Sequence, residues 1–147
     1  MPKQYEEKIV PFTKEQMFHL VADIDRYDEF IPWCNKSNII TRSEDTNFTN
    51  IIADLEIGYN QFCHTYRSNV KLSKNQDFIN VNHLEGPFEF LENKWEFISI
   101  SESSSKIIFS IDFELNIKMF NLLMNKFFDI AFKKMVNSFN QRAKEIY

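Results

Sequence analysis

The C-terminal segment sets the strongest limit on how this chain can fold. From Phe120 onward, Met124, Phe127, Phe128, Ala131, Met135, Phe139, Ala143 and Ile146 recur at steps of three and four residues, the spacing of one helix face. Met119, Leu122, Leu123 and Ile130 project from the other side of its first half, so those turns are apolar nearly all round. Such a helix has to be covered on both sides, by a second layer of protein, by a bound apolar molecule or by a membrane surface. The helix alone does not choose among these covers.

The rest of the chain supplies strands for it to rest on. Lys3–Val10 reads as a first strand, ended by Pro11. Thr13 with Gln16 makes a capping-box pattern, and Met17, Leu20, Val21 and Ile24 give the helix that follows an apolar side. Asp25–Phe30 reads as a second short helix with Tyr27 and Phe30 turned inward, stopped by Pro32. Strands are predicted over Asn38–Arg42, Thr49–Ile57 with a turn at Gly58, a run from Phe62 to Leu72, Phe78–Leu84, Leu91–Ile100, and from Ile107 to Leu115. Glu85-Gly86-Pro87 and the serine-rich Ser101–Ser105 are read as turns. Strand parity puts Phe62, His64, Tyr66, Val70 and Leu72 on one face, Leu91, Trp95 and Phe97 on another inner face, and Ile107, Phe109, Ile111, Phe113 and Leu115 on a third. A strand, two short helices, a run of antiparallel strands and a long helix predict an α+β domain, one unit over residues 1–147, with a bent sheet around the final helix.

Sixteen Phe, five Tyr and two Trp against only two Gly crowd one interior with large rings. Rings tile a small volume poorly, so both a solid core and an internal cavity fit this composition. Cys34 and Cys63 form no CxxC, and both are expected to be free and buried. Residues 1–8 are polar and charged, unlike a secretory signal, and no apolar run approaches the ~20 residues that span a bilayer; the expected location is cytoplasmic. The net charge of −4 argues against general nucleic-acid affinity. Its distribution is uneven: six basic and two acidic residues in 118–147 leave that segment at +4 and the remainder at −8. Lys126, Lys133, Lys134 and Lys144 are therefore candidates either for a solvated face or for contact with an anionic membrane or ribosomal RNA.

Catalytic signatures are scarce. There is no P-loop, dinucleotide-binding glycine fingerprint, HExxH or GxSxG, and His19, His64 and His83 lack metal-ligand spacing. His64 shares its predicted face with Phe62 and Tyr66, and both a structural histidine and a polar ligand contact fit it. The pattern favours a container over a catalyst.

The segment Val21-Ala22-Asp23-Ile24-Asp25-Arg26-Tyr27-Asp28-Glu29-Phe30-Ile31-Pro32-Trp33-Cys34 resembles the signature of the coenzyme Q-binding START-domain family of the polyketide cyclase-like superfamily. Gly86-Pro87-Phe88, Leu91, Trp95 and Phe97 are similar to its middle motif; Phe109, Phe113-Glu114, Met135, Phe139, Arg142-Ala143 and Tyr147 extend the likeness over nearly the whole chain. The resemblance implies the helix-grip fold, a curved antiparallel sheet gripping a long C-terminal helix with a lipid-sized tunnel between. It implies a non-enzymatic protein that binds a long-chain quinone (ubiquinone) or another isoprenoid lipid in support of respiration, with no metal and no further cofactor. The lining expected on that basis is Phe62, Tyr66, Trp95, Phe97, Phe109, Phe113, Phe127, Ala131 and Met135, with Phe30 and Trp33 at a mouth in peripheral contact with the inner membrane. A bacterial branch of the same family, the ribosome association toxins, binds the large ribosomal subunit; here the lysines of the last helix would make the contact. Pro32-Trp33-Cys34 resembles the quinone-binding branch, since the toxin branch typically carries glycine in place of the tryptophan.

Overall fold

Proline and a reciprocal cap set the first boundary. β1 (Lys3–Val10) ends at Pro11, and α1 (Lys14–Ala22) starts on Thr13, whose Oγ1 accepts from the Gln16 amide at 3.0 Å while Gln16 Oε1 accepts from the Thr13 amide at 2.9 Å. Met17, Phe18, Leu20 and Val21 turn that helix into the core. A short 3-10 helix, Ile24–Glu29, follows where a second helix is expected. The Tyr27 hydroxyl donates to the Val21 carbonyl and ties the two helices together. A computed structural model describes residues 3–59, 62–115 and 118–147, with the side chains of Tyr59, Phe62, Leu115, residues 118–129 and Ala131 outside the description.

Six further strands complete one antiparallel sheet: β2 (Cys34–Glu44), β3 (Phe48–Tyr59), β4 (Phe62–Ser73), β5 (Phe78–Glu85), β6 (Phe88–Ser101) and β7 (Ser104–Leu115). Their order is β1-β7-β6-β5-β4-β3-β2, so the first strand closes onto the last and every other pair is a sequential neighbour. The sheet curves around α2 (Lys118–Ile146), which makes this the helix-grip fold. Its concave face carries Ile51, Ala53, Tyr66, Val70, Leu72, Ile79, Trp95, Phe97, Ile107, Phe109 and Phe113, all buried. Strand alternation predicts this face well, because opposite residues in antiparallel strands share a side.

The departures have local causes. Gly58 lies inside β3, paired with Cys63, rather than at a turn. Its amide donates to the Trp33 carbonyl at 2.8 Å, and a Cβ there would sit 2.5 Å from Asn35 Nδ2, so this glycine serves close approach of the 33–35 segment. β2 is longer than expected because bulges at Cys34/Lys36 and Ile39/Thr41 break its alternation. The serine-rich turn is only Glu102-Ser103; Ser105 is fully buried in β7 and donates to the Phe12 carbonyl at 2.8 Å. Cys34 is buried as expected, whereas Cys63 is exposed, its parity placing it opposite to the Tyr66 side of β4. On α2 the inward stripe is Phe132, Phe139 and Ala143, flanked by Met135 and Val136. Ile130 is 55 % exposed and Ile146 is exposed as well, so neither is covered. Tyr147 closes that end instead, its ring tilted on Phe12 at 6.1 Å and its hydroxyl donating to the Gln16 carbonyl at 2.8 Å.

Candidate functional site

The seam between the concave sheet and α2 has two ends of different character. At one end, rings from strand, helix and loop interlock. Trp95 meets Phe109 at 4.5 Å and Phe139 at 5.0 Å, and Phe109 meets Phe132 at 5.3 Å. Phe30 adds an edge contact to Phe139 at 5.1 Å, and Tyr27 adds another at 5.5 Å. The void beside Trp95, Phe109, Val136 and Phe139 is about 30 Å³, with the Asn140 side chain at its wall. That is room for no more than a few water molecules. This end is glued shut by aromatic contacts.

The other end lies toward the far ends of β6 and β7, against β4 and β5. Tyr66 and His83 sit on adjacent strands with parallel rings, 1° apart in tilt and 6.1 Å between centroids. Phe88 meets both edge-on, at 5.1 Å and 5.9 Å, and Phe113 backs Phe88 at 5.7 Å. Alternation along β5 from Ile79 through Val81 puts His83 on the concave side, and a bulge then leaves Leu84 unpaired and turned to solvent. Between Phe88 and Phe90 the register shifts again, so Phe88 and Leu91 both face inward although they are three residues apart. Gly86, at φ +139°, presses its backbone on the nest: a Cβ there would lie 3.2 Å from Tyr66 Cα and from the Thr65 carbonyl.

Inside this apolar nest, Tyr66 Oη and His83 Nε2 are buried and have no hydrogen-bond partner among the described residues. Tyr66 is only 5 % exposed, and the nearby Ser68 hydroxyl approaches it without hydrogen-bond geometry. A buried polar atom left unpaired costs about 1–3 kcal/mol, so each such atom in a folded protein asks for a reason. Burial raises the Tyr66 phenol well above its ordinary pKa, against a small lowering from Ser68. Burial likewise raises Tyr27 and pushes the Cys34 thiol up to about 11, with Asp28 adding to the latter. All three are neutral at pH 7 and poor nucleophiles. Among the described residues, no three His, Cys, Asp or Glu side chains cluster as metal ligands.

The residues singled out by the sequence distribute as follows. Tyr66 and Phe113 belong to the ring nest around His83; Trp95 and Phe109 belong to the interlocked end, and Phe97 packs toward α1, 5.5 Å from Phe18. Met135 and Trp33 are partly buried against the core. Phe30 is clamped from outside by Arg142, whose guanidinium lies 5.4 Å from its ring centroid and donates to Glu29 at 2.7 Å. His64 is a correction: it is exposed, because its inward parity falls near the strand's end, past the buried stretch that begins at Tyr66. Lys133, Lys134 and Lys144 are exposed, and no described carboxylate pairs with them. Phe62, Lys126, Phe127 and Ala131 lie outside the described residues. His83 and Phe88 were missed. The alternation Ile79-Val81-His83 carried the signal for the first, while the bulge hid the second.

Residues 10–140 match the family model described as polyketide cyclase / dehydrase and lipid transport. The chain is 33 % identical over 139 residues to the ribosome association toxin of Vibrio cholerae serotype O1, covering 95 % of this chain and 93 % of that one. It is 30 % identical over 145 residues to a mitochondrial coenzyme Q-binding protein homolog of Xenopus laevis, covering 97 % of this chain and 58 % of that protein. A START superfamily protein from Mycobacterium smegmatis superposes with a TM-score of 0.82 at 14 % identity over 99 % of both chains, a likeness of fold.

Proposed function

The chain belongs to the polyketide cyclase / dehydrase and lipid transport family, and from that premise we propose that it is a non-enzymatic carrier holding a long-chain quinone, ubiquinone, between the curved sheet and α2. The observation that carries this reading is the concave face itself, an almost unbroken wall of aromatic and aliphatic side chains from Tyr66 and Phe88 through Phe113 to Trp95. Such a wall binds isoprenoid carbon at roughly 25 cal/mol per Å² without any polar code. Two buried phenols, Tyr27 and Tyr66, and the Cys34 thiol are held neutral by burial, which suits holding a ligand rather than transforming it. The named relative that binds coenzyme Q supports the choice of quinone. In this reading the protein works in the cytoplasm with peripheral contact to the inner membrane, where its ligand resides.

The test is extraction of the purified protein with organic solvent and mass spectrometry of what comes off. Quinone in the extract, or saturable uptake on titration into stripped protein, is the expected result. An empty extract together with no uptake refutes the carrier.

A second reading has its own observation. Lys133, Lys134 and Lys144 stand exposed on the outer side of α2, paired with no described carboxylate, and curated relatives carry the name ribosome association toxin. Binding to the large ribosomal subunit through these lysines predicts co-sedimentation that weakens steeply as salt rises.

A further inference from the structure

We propose, resting on the carrier reading above, that Tyr66 and His83 form the polar end of the site and together take one carbonyl oxygen of a quinone head group. Both atoms are buried without a partner among the described residues, on neighbouring strands and on the same face. Their surroundings are ring edges: Phe88 against both, and Phe113 behind it. A phenol hydroxyl and an imidazole N–H are donors, and a carbonyl oxygen has two lone pairs to receive them. The flat, weakly polar ring that bears the carbonyl suits a nest of phenyl edges, where aromatic pairs prefer edge-to-face or offset geometry.

The described lining of the nest is aromatic rings, against which a neutral carbonyl is buried at far less cost than an ionised head group without a counter-charge. The reduced form also fits, because a quinol hydroxyl donates to the Tyr66 oxygen or to His83 Nε2 in its other tautomer. The pair thus recognises a neutral oxygen on an apolar ring and sets the ligand's direction, head toward β4–β5. The interlocked rings at Trp95 and Phe139 leave no space for a head group at the opposite end.

The experiment compares wild type with Tyr66→Phe, His83→Leu and the double variant, using 2-decyl-1,4-benzoquinone and decylbenzene as probes. These share a tail and differ in the carbonyls. Binding is read by competition with a fluorescent apolar dye, and stability by thermal unfolding of the empty protein. Each single variant should weaken the benzoquinone by about five- to tenfold and decylbenzene by less than about twofold. Tyr66→Phe should leave the empty protein at least as stable, since it deletes an unpaired hydroxyl and keeps the ring. Unchanged benzoquinone affinity, or equal weakening of both probes, overturns the head-group assignment while the carrier reading stands. A wild-type protein that binds neither probe overturns both.

Discussion

Shaving Phe139 to alanine asks whether the interlocked end of the seam is fold-bearing core. Phe139 is 3 % exposed and meets Tyr27, Phe30 and Trp95 at 5.5, 5.1 and 5.0 Å, so its ring joins the 3-10 segment, the loop after it and the sheet to α2. Removing the ring opens a void of roughly 100 Å³, which at about 24 cal/mol per Å³ costs about 2.4 kcal/mol. Lost transfer energy adds about 2 kcal/mol. The sum, about 4 kcal/mol, falls inside the usual range of about 3–5 for a buried Phe→Ala change. Against a total stability of about 5–15 kcal/mol, that is a large share, and the alanine variant can fall short of folding at 37 °C. Phe139→Leu, which keeps most of the volume, should cost about 1–2 kcal/mol and remain folded. Urea unfolding followed by tryptophan fluorescence reads both, since Trp95 is in direct contact with the ring. A loss below about 1 kcal/mol for the alanine variant would mean that Tyr27, Phe30 and Trp95 do not depend on Phe139, and the description of a glued end would be wrong.

Three other outcomes follow from the geometry. Gly86→Ala should destabilise by about 1–3 kcal/mol, because φ +139° is strained for a side chain and its Cβ would press on Tyr66 Cα and the Thr65 carbonyl; an unchanged urea midpoint would refute it. Asp54 is held below the usual carboxylate pKa by hydrogen bonds from Arg67 at 2.8 and 3.0 Å. Its contribution is present above about pH 4 and is lost as pH falls through the lowered pKa. With Arg67 40 % exposed, the pair is worth less than about 1 kcal/mol, so Asp54→Asn should lower the neutral-pH urea midpoint slightly and flatten its acid limb; an unchanged limb refutes this. Replacing Lys133, Lys134 and Lys144 together with glutamine should leave stability within about 0.5 kcal/mol and quinone uptake unchanged, while abolishing any co-sedimentation with large ribosomal subunits.

Where a residue's neighbours in sequence determine its environment, the chain was legible. The Thr13–Gln16 cap, the β1 bounds and the alternation through Ile107, Phe109 and Phe113 all depend on local period and local hydrogen bonds, and all appear as read. What hid was whatever depends on register between strands. A bulge between Phe88 and Phe90 puts Phe88 on the concave face together with Leu91, and a period-2 reading cannot see an inserted residue. His64 failed for a related reason, since parity gives the side of the sheet but not how far the covering layer reaches along it. Phe132 was missed because the apolar stripe of α2 is wider than one face, so periodicity alone could not fix its rotation.

The two functional readings use opposite sides of one helix, and this makes them separable. Phe132, Val136, Phe139 and Ala143 project toward the sheet, whereas Lys133, Lys134 and Lys144 project away from it. Arg142 does not join the outer group, being spent on Glu29 and the Phe30 ring. The basic surface described is therefore three lysines, on a body whose remaining charge is negative. Three phosphate contacts with single-stranded or duplex RNA imply a log–log salt slope of about −2 to −3. Quinone burial, by contrast, releases no counterions and should hardly respond to salt. One salt series on one preparation thus measures both: ligand retention that stays flat while ribosome co-sedimentation falls with that slope assigns each activity to its own face of α2. A slope steeper than about −4 would require cations beyond Lys133, Lys134 and Lys144, and the outer face as drawn would be too small.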